Sequence, residues 1–154
     1  MGIPIKNVLN AVVAKVQSAT STRLNGVPVY KGDAPGWKGD RAIFVLYAGA
    51  SEEGAQLSNG WWGVHSVLVE LRWSQGDSTG ATGGGDWYDQ FLEACEELNV
   101  LLSSVAARTM TDAEGEGFSM LTKTWEIGYG EPIGRTQMLI AQFTLSCTVD
   151  MPTA

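Results

Sequence analysis

Apolar positions recur at helical spacing in two stretches of the chain. In residues 4–19 they lie three or four apart, and Pro4 stands in the first turn, where the missing N–H of a proline costs nothing. The second stretch begins at Asp86, a suitable N-cap, and runs to about residue 108. The predicted buried stripes are Ile5, Val8, Leu9, Val12, Val13 and Val16 in the first helix, and Trp87, Phe91, Ala94, Leu98, Leu101 and Val105 in the second.

Five other segments carry patterns typical of β-strands. One is a continuous apolar run, as in a strand that is covered on both faces, and another contains Pro28, which favours an edge of the sheet. Two are long and alternate between apolar and polar residues. In the remaining one, Leu121, Trp125 and Ile127 are expected on the same side. The predicted strands are 27–30, 42–48, 61–74, 118–128 and 136–149.

The predicted order of elements is α-β-β-β-α-β-β. Such an order favours an α+β fold, in which two helices pack on a mostly antiparallel sheet. A chain of 154 residues is about one domain long and shows no internal repeat or linker, so we expect a single domain over 1–154. Segments rich in glycine or polar residues predict flexible loops near 31–40, 49–60, 75–85 and 110–117.

The charge balance argues against binding to duplex DNA, and the length of the apolar runs argues against a membrane span. The formal net charge is −7, and the ten lysines and arginines are scattered singly, so we expect no stable hold on duplex DNA. No run reaches the roughly 18 apolar residues that a membrane span needs. The apolar stretch from Val8 to Val16 is interrupted by Asn10 and Lys15, which argues against a signal peptide and for synthesis in the cytosol.

Neither a nucleophilic triad nor a phosphate loop is predicted. His65 is the only histidine, and it alternates in phase with Val67 and Val69, so we interpret it as a half-buried strand residue. The glycine cluster 80–85 is followed by Asp86, where a phosphate loop needs lysine and then serine or threonine. We therefore interpret the cluster as a flexible loop before a helix and expect no catalytic residue.

Metal and cofactor sites are not predicted either. The segment 112–117 resembles the first half of a calcium loop, but position twelve, which must supply a bidentate carboxylate, is Lys123. Cys95 and Cys147 are predicted to be small core residues that could approach each other between helix and sheet. No disulfide is expected in a reducing cytosol. We expect no metal, no cofactor and no enzymatic activity.

Three tryptophans stand outside this core pattern. Trp61 and Trp62 are adjacent, so in a strand they point to opposite faces, and Trp37 lies in a loop rich in proline and glycine. Exposed tryptophan commonly marks a protein contact, so all three are candidate subunit or partner contacts. The alternative is that their loops fold back and cover them.

The chain resembles the tail terminator proteins of long-tailed bacteriophages and their relatives among head-to-tail joining proteins. The resemblance covers nearly the whole chain and lies in the order of its elements and in their residue patterns. These are the amphipathic helix from Ile5 to Val16, the pair AIFVLYA and GVHSVLVELRW, the helix opening DWYD at 86–89, and the terminal strand QMLIAQFTLSCTV.

This resemblance implies a structural virion protein. Members form a hexameric ring of tail-tube-like fold that caps the tube, with tail-tube protein on one face and the head connector on the other. DNA passes through without specific binding, and the ring sits at the head–tail junction after assembly in the host cytoplasm. Long strands could pair edge to edge between copies. Acidic residues would suit the lumen, and the candidates are Glu52, Glu53, Asp112, Glu114 and Glu116.

Two alternatives stay open. The first is another virion part of the same shape, either a tail-tube subunit or a neck protein that closes the head. The second belongs to a different class: a small enzyme or ligand-binding domain with a pocket near His65, Trp73 and Trp125.

Overall fold

The computed structural model describes residues 4–34, 37, 39–51, 63–74, 83–129 and 138–149. In these parts of the chain, no helix combines the length with the apolar character that crossing a membrane requires. The elements in chain order are α1 (Ile5–Gln17), β1 (Val29–Lys31), β2 (Arg41–Ser51), β3 (Val64–Ser74), α2 (Gly83–Ser103), α3 (Val105–Arg108), β4 (Met110–Thr111), β5 (Gly117–Tyr129) and β6 (Met138–Val149).

The strands form one sheet in the order β1-β2-β3-β6-β5-β4. Its neighbouring strands are antiparallel, except that β1 runs parallel to β2. The predicted α+β class is thereby confirmed. The order of elements differs in detail from the prediction, because the short helix α3 and the two-residue strand β4 lie between the second helix and β5.

One face of the sheet carries the helices and the hydrophobic core. Alternate residues of β3 and β6 point to this face, and paired positions such as Val69 and Phe143 are fully buried. The helix α1 packs on β1 and β2, while α2 packs on β5 and β6. Because apolar residues on this face leave water, their burial supplies the main force for folding.

The first helix forms as its spacing predicts. Val8, Val12 and Val16 recur four apart along α1 and are all buried in the core. Ile5 is exposed instead, since it lies in the first turn, beyond the part of α1 that packs against the sheet. The predicted stripe therefore holds from the second turn onward.

The second helix ends earlier than predicted. Ser104 has an extended backbone, and its hydroxyl accepts a hydrogen bond from the N–H of Ala107, so it caps the separate helix α3. This break shifts the helical phase. Val105, predicted in the buried stripe, is 81% exposed, whereas Leu102 and Ala107 are buried.

A β-bulge corrects the prediction for β5. The register against β6 shifts between Thr122 and Thr124, so two residues on β5 oppose one on the partner strand. As a result Leu121 pairs with Ser146 on the face without helices, while Trp125 pairs with Phe143 on the helix face. Leu121 and Trp125, expected on one side, therefore lie on opposite sides.

We expect Leu102→Ala to lower the free energy of unfolding by about 2–5 kcal/mol, because it opens a cavity in the core. The matched variant Val105→Ala should change it by less than about 0.5 kcal/mol, since that side chain is already in water. Urea unfolding of both variants measures the difference. Equal costs would contradict the assigned break at Ser104.

Candidate functional site

Aromatic rings cover one end of the sheet face that lies opposite the helices. Phe44 lies fully buried there, with Tyr30 stacked on it at a centroid distance of 5.3 Å and Trp37 meeting it edge-on at 5.6 Å. The Arg72 guanidinium covers the same ring, 4.0 Å from its centroid. A Cβ at Gly39 would come within 2.6 Å of the Trp37 ring, so the loop packs tightly here. Trp37 thus folds back on the sheet and stays half-exposed.

A chain of charged and polar groups crosses the same face. Arg72 donates to Asp33 at 2.8 Å and to Glu70 at 2.9 Å, and Gln142 donates to the other oxygen of Glu70 at 2.8 Å. The hydrogen bond from Arg72 lowers the pKa of the Asp33 carboxyl. Arg72 bridges the two carboxylates, and these bonds hold the loop after β1, β3 and β6 together.

The rest of this face is mixed: hydroxyl and charged groups alternate with half-buried apolar residues, namely Leu46 paired with Leu68, and Ile140 on β6. Ser66 and Ser146 face each other across β3 and β6, half-buried, and Thr144 lies on the same side of β6. Toward β5 the exposed residues include Thr124, Glu126 and Leu121. Alternation therefore divides the sheet into an apolar helix face and a mixed face, called the polar face below, which carries all the charged side chains of the central strands β3 and β6 besides the aromatic cluster around Phe44 and several half-buried apolar residues.

The outer edge of β5 is the most unusual surface. The strand β4 pairs only with Gly117 and Phe118, and residues 119–129 have no further partner strand among the described parts of the chain. Leu121 is 49% exposed on one side of this edge, and Trp125 is 39% exposed on the other, stacked nearly parallel on Phe143 at 5.3 Å. Open backbone groups flanked by apolar side chains are typical of an edge that another strand covers.

Asp112 does not present its carboxylate to solvent as the lumen prediction requires. It is 7% exposed, and one oxygen accepts the backbone N–H groups of Glu114 at 2.9 Å and Glu116 at 2.8 Å. The other oxygen accepts from Asn7 at 3.3 Å, and Gly115 supplies the positive φ of the turn. The segment is thus the hairpin turn between β4 and β5, and its exposed carboxylates are Glu114 and Glu116.

Four further candidate residues lie outside the described parts of the chain. These are Glu52, Glu53, Trp61 and Trp62. Their assignment to a lumen or to a partner contact stays a prediction.

His65 is a buried strand residue whose partner among the described side chains is Tyr47. It is 4% exposed, its Nδ1 lies 3.0 Å from the hydroxyl of Tyr47, and burial lowers its pKa. Trp73 lies eight residues along the same strand, at a distance of about 26 Å. The pocket proposed from His65, Trp73 and Trp125 is therefore not formed.

The two cysteines are core residues, as the sequence predicts. Cys95 on α2 and Cys147 on β6 are buried free thiols, and burial raises the pKa of each to about 12. Such thiols stay protonated at neutral pH and do not act as nucleophiles. In the described part of the chain, no three acidic, cysteine or histidine side chains converge on a common metal position.

A surface cleft of about 480 Å³ lies between α2 and residues 21–23. Arg23 bonds two of its carboxylates: it donates through Nε to Glu93 at 2.7 Å and through its backbone N–H to Glu97 at 2.9 Å. These pairs attach the segment after α1 to α2, which is a structural role.

Comparisons with known proteins give information on the fold and none on the function. No family model matches the sequence, and no curated protein matches it. In three dimensions 12 chains of solved structures match. One of them is similar over 97% of this chain and 100% of its own length, with a TM-score of 0.50 and 12% sequence identity. Its name states no activity, and likeness at that identity shows the α+β fold alone.

We expect the free energy of unfolding to fall as the pH drops below about 6.5. The unfolded chain binds a proton at the ordinary histidine pKa of 6.5, whereas the folded chain binds it only at lower pH, so acid favours unfolding. Because His65 is the only histidine, His65→Gln should remove this slope between about pH 5 and 6.5. Urea unfolding across this range checks it; equal slopes in both proteins would contradict the buried neutral histidine.

Proposed function

We propose that this chain is a tail terminator, a structural protein in the virion of a long-tailed bacteriophage. Six copies close into a ring on the end of the tail tube and join it to the head connector. The support is the order of elements in which the chain resembles that family, together with the α+β fold. The ring sits at the head–tail junction, is assembled in the host cytoplasm, and acts by its geometry rather than by a reacting group.

The outer edge of β5 is the observation that carries this proposal. Its backbone groups, which meet no further strand among the described residues, and the half-exposed Leu121 and Trp125 favour unlimited association unless another surface covers them. A head-to-tail contact with closing rotational symmetry covers this edge in all copies at once. The ring thus gives the edge a defined partner.

The polar face of the sheet supports a wall beside DNA. Its carboxylate Glu126 is exposed beside hydroxyl groups, whereas Glu70 is paired with Arg72, and the chain as a whole carries a net charge of −7. Like charges repel the phosphate backbone, so DNA slides past such a surface without binding. The exposed Glu114 and Glu116, with Glu52 and Glu53, remain candidates for the same lumen, and a density map of the ring in a particle tests their position.

A tail-tube subunit or a neck protein remains the alternative. Tube subunits stack on themselves without limit, whereas a terminator stops at one ring. Electron microscopy of the purified chain distinguishes discrete rings from long tubes. A neck protein is distinguished by its position in the particle, below the portal.

We expect the purified chain to form a particle of about 99 kDa, six copies of 16.5 kDa, in native mass spectrometry. Ile127→Glu should shift it toward monomer by at least about tenfold, because a charge on the part of the edge that a neighbouring copy covers loses its water. Val105→Glu, equally charged but on α3, should leave the ring intact.

Far-UV circular dichroism verifies that both variants fold. A native chain that stays monomeric at high concentration would contradict the proposed function. A ring that Ile127→Glu leaves unchanged would exclude this edge as the contact between copies.

A further inference from the structure

The sheet has a second open edge, on the far side from β5. The strand β1 pairs with β2 along one side, and its other side meets no strand within the described residues. Tyr30, at its centre, is half-exposed. A head-to-tail ring needs two different surfaces on each copy, and these two edges belong to one sheet.

The directions of the strands define how these edges would meet. Since β1 and β2 are parallel and every later step across the sheet is antiparallel, β5 runs opposite to β1. A rotation that carries one copy onto the next and continues the sheet preserves strand direction. The β5 edge of one copy therefore meets the β1 edge of its neighbour in antiparallel orientation.

The two faces of the sheet restrict the register. Tyr30 lies on the polar face because it stacks on Phe44, whereas Lys31 lies on the helix face, where it donates to Asn10 of α1 at 2.8 Å. On β5, alternation from the bulge onward places Thr124, Glu126 and Gly128 on the polar face. To keep both faces continuous, Tyr30 must stand opposite one of these three residues.

Side-chain chemistry selects among the three registers. Opposite Thr124, Tyr30 brings Lys31 against Lys123 of the bulge, and like charges in opposed positions repel. Opposite Gly128, Tyr30 places the Lys31 cation against the apolar side chain of Ile127, which is an unfavourable cross-strand pair.

Opposite Glu126, Tyr30 places Val29 against Ile127 and Lys31 against the half-exposed ring of Trp125. The first pair is apolar, and the second brings a cation onto an indole.

We propose, on the basis of the ring proposed above, that β5 of each copy pairs antiparallel with β1 of the next, with Tyr30 opposite Glu126. The strand β1 contributes three residues, Val29–Lys31, and the usable part of the β5 edge begins at Thr124, after the bulge. Pro28 precedes β1 and has no N–H to donate, so this ladder ends there. The occupant of the β5 edge is thus a second copy of this chain.

Engineered cysteines test the register. In Tyr30→Cys/Glu126→Cys every copy carries both members of the pair, so mild oxidation should link the ring into covalent species up to the hexamer on a non-reducing denaturing gel. Both positions are exposed, and the native thiols are buried with a pKa of about 12, so neither competes.

Matched controls shift the register by two residues while Tyr30→Cys is kept. Its partner is Gly128→Cys, where a new Cβ meets nothing within 4 Å, or Thr124→Cys, which is exposed. Each control should cross-link at least about tenfold less, since Cα atoms more than about 7 Å apart do not bridge. The single variant Glu126→Cys should not cross-link; if it did, two-fold pairing of β5 with β5 would replace our proposal.

Native mass spectrometry separates the two proposals. If the ring forms and a control pair cross-links better than Tyr30→Cys/Glu126→Cys, the register is wrong and the ring stands. If the ring forms and none of the pairs cross-links, β1 is not the partner of β5. If every variant and the native chain stay monomeric, both the register and the ring fail.

Discussion

The structure depends on the alternation of side chains along the two central strands. In β3 and β6 every second residue enters the core, and pairs such as Val69 with Phe143 meet there without exposure to water. A slip of one residue would turn all of these side chains outward, so burial and register enforce each other. The same alternation places the Arg72–Glu70 pair on the opposite face. The buried core and the polar face of the sheet are therefore two consequences of the same alternation.

Strands and helices could be predicted from sequence wherever this period continues undisturbed. The prediction failed where one local event shifts the phase. Ser104 begins a new helix by capping it and so exposes Val105, and the bulge at Lys123 moves Leu121 to the other face. The helix cap is made by a single hydrogen bond, and the bulge is made by a single extra residue. Neither changes the average hydrophobicity on which the prediction relies.

The candidate surfaces were harder to predict, because they arise from topology. Which strand lies at an edge depends on the order β1-β2-β3-β6-β5-β4, and the crossing from β3 to β6 leaves no mark in the sequence. The cluster of Phe44 with Trp37 and Arg72 likewise joins a loop to two strands. Pro28 was an exception: its missing N–H correctly indicated an edge strand.

The bulge in β5 has a consequence for the chain before it finds partners. An extra residue increases local twist and interrupts the even spacing of backbone groups, so a long foreign strand cannot zip along the whole margin of the sheet. Lys123 adds a hydrated charge at the same point. The bulge and the lysine thereby oppose the fibril growth that a long flat margin would favour, and the length of margin that a second strand can follow is limited to the stretch after the bulge.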